Sequence, residues 1–95
     1  MNTTNILKEL PILKEIGVTE TDAITEVKEK LADAIERANL GYKSYVKDIQ
    51  GLSHLRMSSE ERAPAMGHLI EGRNARSELL DKLYAAQRRL EELEQ

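Results

Sequence analysis

From residue 24 onward the apolar residues fall at steps of three and four: Ile24, Val27, Leu31, Ile35, Ala38, Tyr42, Tyr45, Ile49 and Leu52. Most of the positions between them are polar or charged, with Ala32, Ala34, Leu40 and Val46 as the apolar exceptions. A mean spacing near 3.5 is the pattern of a helix carrying one apolar seam, as in a coiled coil. Thr19 and Asp22 precede the stripe with capping-box spacing, Asp standing where Glu or Gln is usual. The pattern therefore predicts an ascending helix over 19–52, on the order of 50 Å long at 1.5 Å per residue. Gly41 lies inside it and costs about 1 kcal/mol against Ala. A close helix–helix approach or a local bend would account for it.

A second stripe, Leu79, Leu83, Ala86, Leu90 and Leu93, repeats at four-three-four-three. Met66, Leu69 and Ile70 extend it backward, and Gly72 and Arg76 interrupt it. The reversal falls between Gly51, a plausible helix stop, and Ser59. Ser58 and Glu61 have capping-box spacing again. Pro64 conflicts with a helix that starts at Ser58, because proline removes a donor and crowds the preceding turn. Either the first turn breaks before Pro64, or Pro64 opens the main helix. The descending helix is predicted over 58–95. Two helices of similar length and a short connection pack antiparallel. Residues 1–17 predict a short kinked helix, or two separate turns, from about Thr4 to Ile16, interrupted at Pro11 and ended by Gly17, capping the open end of the hairpin. The fold class expected is all-α: one domain over 1–95, a long coiled-coil-like hairpin with a short N-terminal helix.

Composition narrows the function. Three Tyr and no Phe or Trp, with a third of the 95 residues charged, favour an elongated shape over a globule enclosing a pocket. Cysteine is absent, which excludes disulfides and thiolate chemistry. The N-terminus carries no positive charge before its first apolar residues, and no apolar run approaches the ~20 residues that span a bilayer. A cytoplasmic protein without a membrane partner is expected. No catalytic constellation stands out, so no enzyme and no cofactor are expected. Glu60–Glu61 and Glu91–Glu92 are consecutive and point apart on a helix. His68 and Glu71 share a face but lack a third ligand, so no metal site is expected.

Net charge is −3, unevenly spread. Residues 1–42 hold five Lys or Arg against eight Asp or Glu, residues 43–76 six against four, and residues 77–95 three against five. In an antiparallel hairpin the middle block is the tip, which becomes basic above an acidic base. Lys43, Lys47, Arg56, Arg62, Arg73 and Arg76 are the candidates for phosphate contact. A two-helix hairpin also leaves part of each apolar face open. Tyr42, Tyr45, Val46 and Met66 are the candidates for serving a protein partner or a second copy of the chain.

Two short patterns resemble the N-terminal helical arm of the α subunit of bacterial phenylalanyl-tRNA synthetase. Leu40-Gly41-Tyr42-Lys43 is similar to that family's Leu-Gly-Lys-Lys near the end of the ascending helix. Ser59-Glu60-Glu61-Arg62 followed by Pro64-Ala65-Met66-Gly67-His68-Leu69-Ile70 is similar to its Pro-Glu-Glu-Arg-Pro-x-x-Gly-x-x-Ile/Leu at the start of the descending one. The likeness covers roughly residues 33–95. Ser44 stands where the family has Gly, Tyr42 where it has Lys, and Ala63 is an extra residue between Arg and Pro. The aminoacylation domain of that family has no counterpart in these residues. The resemblance implies an arm that leans on a tRNA-like structured RNA, with Lys43 and Arg62 at matched basic positions. Two functions are thus expected to compete. One is a non-catalytic arm that touches RNA backbone through a basic tip. The other is a protein–protein interaction hairpin, such as a small regulator, assembly chaperone or viral accessory protein, that docks a partner or dimerises into a four-helix bundle.

Overall fold

The computed structural model describes residues 2–94, which form four helices and no strand. They are α1 (Thr3–Glu9), α2 (Ile12–Glu15), α3 (Ile24–Ser53) and α4 (Ser59–Glu94). α3 and α4 run antiparallel along a rod 56 × 20 × 17 Å, the all-α hairpin expected from the two stripes. Among the described residues no helix is long and apolar enough to cross a membrane.

Of the two forms expected for the N-terminal segment, the structure has two short helical pieces. Asn2 caps α1, its side chain accepting from the Thr4 N–H at 2.8 Å. Pro11 separates the pieces, since it supplies no N–H to continue α1. After α2 the chain reverses at Gly17, whose φ of 94° suits a residue without a Cβ. The Gly17 N–H donates to the Lys14 carbonyl at 3.1 Å and the Val18 N–H to Leu13 at 3.0 Å. This is a Schellman closure, with Leu13 and Val18 both buried beside it.

α3 starts five residues later than the capping-box spacing suggests. The Thr19 N–H does donate to the Asp22 carboxylate at 3.0 Å, but the Asp22 N–H returns to the Thr19 carbonyl at 3.1 Å. The pair closes a turn before the helix instead of opening it. At the far end α3 passes through Gly51 to Ser53, whose hydroxyl donates to the Ile49 carbonyl at 2.8 Å. α4 starts at Ser59 under Ser58, which accepts from the Glu61 N–H at 3.2 Å. Neither expectation for Pro64 holds, because α4 runs through it unbroken. Pro64 sits in the second turn on an exposed face, so only the Glu60 carbonyl loses its helical partner, and solvent reaches it.

The core lies entirely at the base. Val27, Leu31, Ile35 and Ala38 of α3 meet Leu80, Leu83, Ala86 and Leu90 of α4, and Ile6, Leu7, Leu13 and Val18 close over them. α2 packs against α4 and gives the base a third layer. Polar ties secure that layer. The Thr3 hydroxyl donates to the Asp22 carbonyl at 2.8 Å. Lys30 donates to the Gly17 carbonyl at 3.0 Å and pairs with Asp22 at 2.7 Å. Arg89 pairs with Glu9 of α1 and, at 3.1 Å, with Glu92 on its own helix.

On α4 the seam changes rows. At the base it follows Leu83, Ala86 and Leu90, as expected. Distally it follows Arg62, Met66, Leu69, Arg73 and Ser77, crossing over at Leu80. Gly72 and Arg76 looked like interruptions only because they belong to the neighbouring row.

Candidate functional site

The two halves of the hairpin differ sharply in packing. No side chain from Asn39 to Leu79 is buried, although ten apolar residues there are half-buried: Tyr42, Tyr45, Val46, Ile49, Leu52, Met57, Met66, Leu69, Ile70 and Leu79. Two helices alone shield only the facing stripes of each other, and the third layer that completes the base stops at Ile16. On the same side of the hairpin, beyond that point, lies an open groove of about 660 Å³. Leu52, Leu55, Ala65 and Leu69 line it, with Gly51 on its wall and Lys47, Asp48 and His68 around the rim. Leu55 is 54% exposed.

The four residues expected to serve a protein partner, Tyr42, Tyr45, Val46 and Met66, lie along the α3–α4 seam, all half-buried. Tyr45 lies across Gly72 so closely that a Cβ on Gly72 would overlap its ring. Gly41 is likewise the point where the Arg76 side chain crosses α3, with Arg76 Nε 3.2 Å from where a Cβ would stand. Gly72 thus sits at a close contact between the helices, whereas Gly67 has no neighbour within 4 Å of a Cβ position.

The six basic candidates do not converge. Arg62 is tied into the tip, its guanidinium donating to the Leu55 carbonyl at 2.5 Å and to Met57 at 3.5 Å. Its Nε is enclosed and finds no partner among the described residues. Arg73 is half-buried in the seam and donates to Asn74 Oδ1 at 3.2 Å. Arg76 edges a second groove, of about 450 Å³, with Arg37, Lys30 and Asp33 near α2. Lys43 is exposed on the other side of α3, since it follows Gly41 by two residues and Gly41 faces Arg76. Lys47 and Arg56 are exposed at the groove rim and in the loop. His68 and Glu71 stand exposed, His68 on the groove rim.

Two titratable groups at the base are displaced from their ordinary values. Lys30, with the Thr19 N–H, holds the Asp22 carboxyl down at about 2 from an ordinary 3.8, and the Asp22 side chain is only 9% exposed. The Glu9 and Glu92 carboxylates push the Arg89 guanidinium up, which leaves a group that is always charged unchanged.

The sequence reading missed the groove. Its one visible signal is the row Glu61, Ala65, His68, Gly72 and Arg76, at steps of four, three, four and four, which places two small residues between two charges of opposite sign. No protein-family model matches the chain, and comparison with curated proteins and with solved structures gives no match.

Proposed function

We propose that this chain is a non-catalytic binding hairpin whose base is the scaffold and whose distal half docks another protein. The observation that carries this reading is the contrast in packing along one pair of helices. Twelve apolar residues are buried at the base, while the distal half leaves Leu52, Leu55, Ala65 and Leu69 around an open groove. Apolar side chains collected in a groove and rimmed by charge are the usual anatomy of a protein-docking surface. A rod two helices across holds a partner against its side, which suits binding better than a chemistry that needs water excluded.

A second reading, contact with RNA backbone, is supported by Lys43, Lys47 and Arg56, which are exposed and make no ion pair among the described residues. The resemblance to the synthetase arm points the same way. Against it stand the net charge of −3 and the engagement of Arg62 within the tip.

Affinity capture from a native lysate separates the two. Protein docking predicts that capture survives nuclease treatment and is lost in Leu55→Glu/Ala65→Glu, whose fold circular dichroism confirms. Both positions are exposed, so the core is untouched. Capture that disappears with nuclease, falls with salt and is abolished by Lys43→Glu/Lys47→Glu selects RNA instead.

A further inference from the structure

We infer that the groove takes a second copy of this chain, the distal halves of two hairpins packing antiparallel into a four-helix bundle in which Glu61 of each copy meets Arg76 of the other. The inference rests on the reading of the distal half as a docking surface and names its occupant.

The first support is continuity. α2 covers the flank of the hairpin at the base, where Ile16 joins Lys30, Ala34, Leu79 and Leu83 along one groove. The apolar groove at the tip continues the same flank without cover. A helix pair laid on it supplies the layer that the chain's own N-terminal helices supply below.

The second support is self-complementary charge. Glu61, Ala65, His68, Gly72 and Arg76 share one row of α4, beside the seam row rather than within it. The midpoint of Glu61 and Arg76 along the helix is His68–Leu69, and both of these residues line the groove. In a two-fold contact, where residue i meets j and j meets i, an axis at that midpoint brings Glu61 of one copy level with Arg76 of the other. Neither Glu61 nor Arg76 has an ion-pair partner among the described residues. A parallel arrangement would set Glu61 against Glu61 and Arg76 against Arg76, so charge selects the antiparallel one.

The third support is room for approach. A Cβ on Gly51 would meet nothing within 4 Å, and Ala65 is exposed opposite it. Small residues at the centre of a helix contact let backbones come close. The overlapping length, sixteen residues of α4 from Glu61 to Arg76, is about 22 Å between end residues at 1.5 Å per residue. Across a rod 20 Å wide, that is a small interface, so dissociation in the micromolar range is expected.

Sedimentation equilibrium of the full chain, from about 1 to 500 µM, tests the proposal. The apparent mass is expected to rise from 10.8 kDa toward twice that value. Glu61→Arg and Arg76→Glu are each expected to weaken association about tenfold, because each reversal turns both symmetry-related pairs into repulsions. Combined in one chain, they are expected to restore the wild-type constant. A wild-type chain that stays monomeric over the whole range overturns the dimer. A dimer indifferent to both reversals, or not restored in the double variant, overturns the pairing. Loss of a foreign partner in Leu55→Glu/Ala65→Glu while the wild type remains monomeric leaves the docking reading standing and removes the second copy from it.

Discussion

Gly67 and Gly72 sit five residues apart in the same helix, and the structure assigns them opposite responses to the same substitution. Exchanging Gly for Ala in a helix interior gains about 1 kcal/mol by restricting the unfolded chain. At Gly67 the new methyl meets nothing within 4 Å, so Gly67→Ala is expected to keep the whole gain. At Gly72 the methyl overlaps the Tyr45 ring, which is half-buried over the α3–α4 seam. The ring must swing out or the helices must part, and overpacking of this kind costs about 1–3 kcal/mol. The two variants should therefore differ by about 1–3 kcal/mol. At roughly 4–8 °C per kcal/mol for a domain of this size, that separates their melting temperatures by at least several degrees. Thermal and urea unfolding followed by far-ultraviolet circular dichroism reads both, at a concentration low enough to keep the chain monomeric. In a Tyr45→Ala background the penalty at Gly72 should vanish and Gly72→Ala should become stabilising. If Gly72→Ala raises the melting temperature as much as Gly67→Ala in the presence of Tyr45, the close approach of the two helices at this level is wrong.

Three further outcomes follow from the base and the tip. Leu83 is fully buried at the centre of the core, so Leu83→Ala should cost about 2–5 kcal/mol in urea unfolding, while Leu55→Ala should stay within about 0.5 kcal/mol. Asp22 is held at about 2 in the folded chain against 3.8 when free, so as pH falls the unfolded chain takes up the proton first. The stabilisation is complete above about pH 4 and is lost as pH drops toward 2, and Asp22→Asn should abolish that step in an acid titration monitored by NMR at Thr3 and Val18. Arg62→Ala releases the Leu55 and Met57 carbonyls, so amide exchange should quicken across residues 54–60 and remain unchanged at Leu31 and Leu83.

Much of the fold was legible because helical periodicity is a local property. The steps of three and four in residues 24–52 set the buried face of α3 correctly from Val27 to Ala38, and Gly17 ended the N-terminal segment as its freedom at positive φ allows. The errors fell where a local signal had two uses. Thr19 and Asp22 carry a helix-start spacing but close a turn, because Lys30 draws the Asp22 carboxylate toward the Gly17 carbonyl. Pro64 lies inside α4 because its missing hydrogen bond falls on an exposed face.

The order of apolar and polar residues determined that this chain makes two long helices, where they reverse, and which row of each is buried at the base. Tertiary structure alone decided where the third layer stops and which row of α4 carries the distal seam. It also decided that Arg62 serves the tip while Leu52, Leu55, Ala65 and Leu69 gather around a groove. The physical reason is that a helix repeat specifies a face without specifying what covers it. Cover depends on residues distant in sequence, and here α2 reaches only half the length of the hairpin.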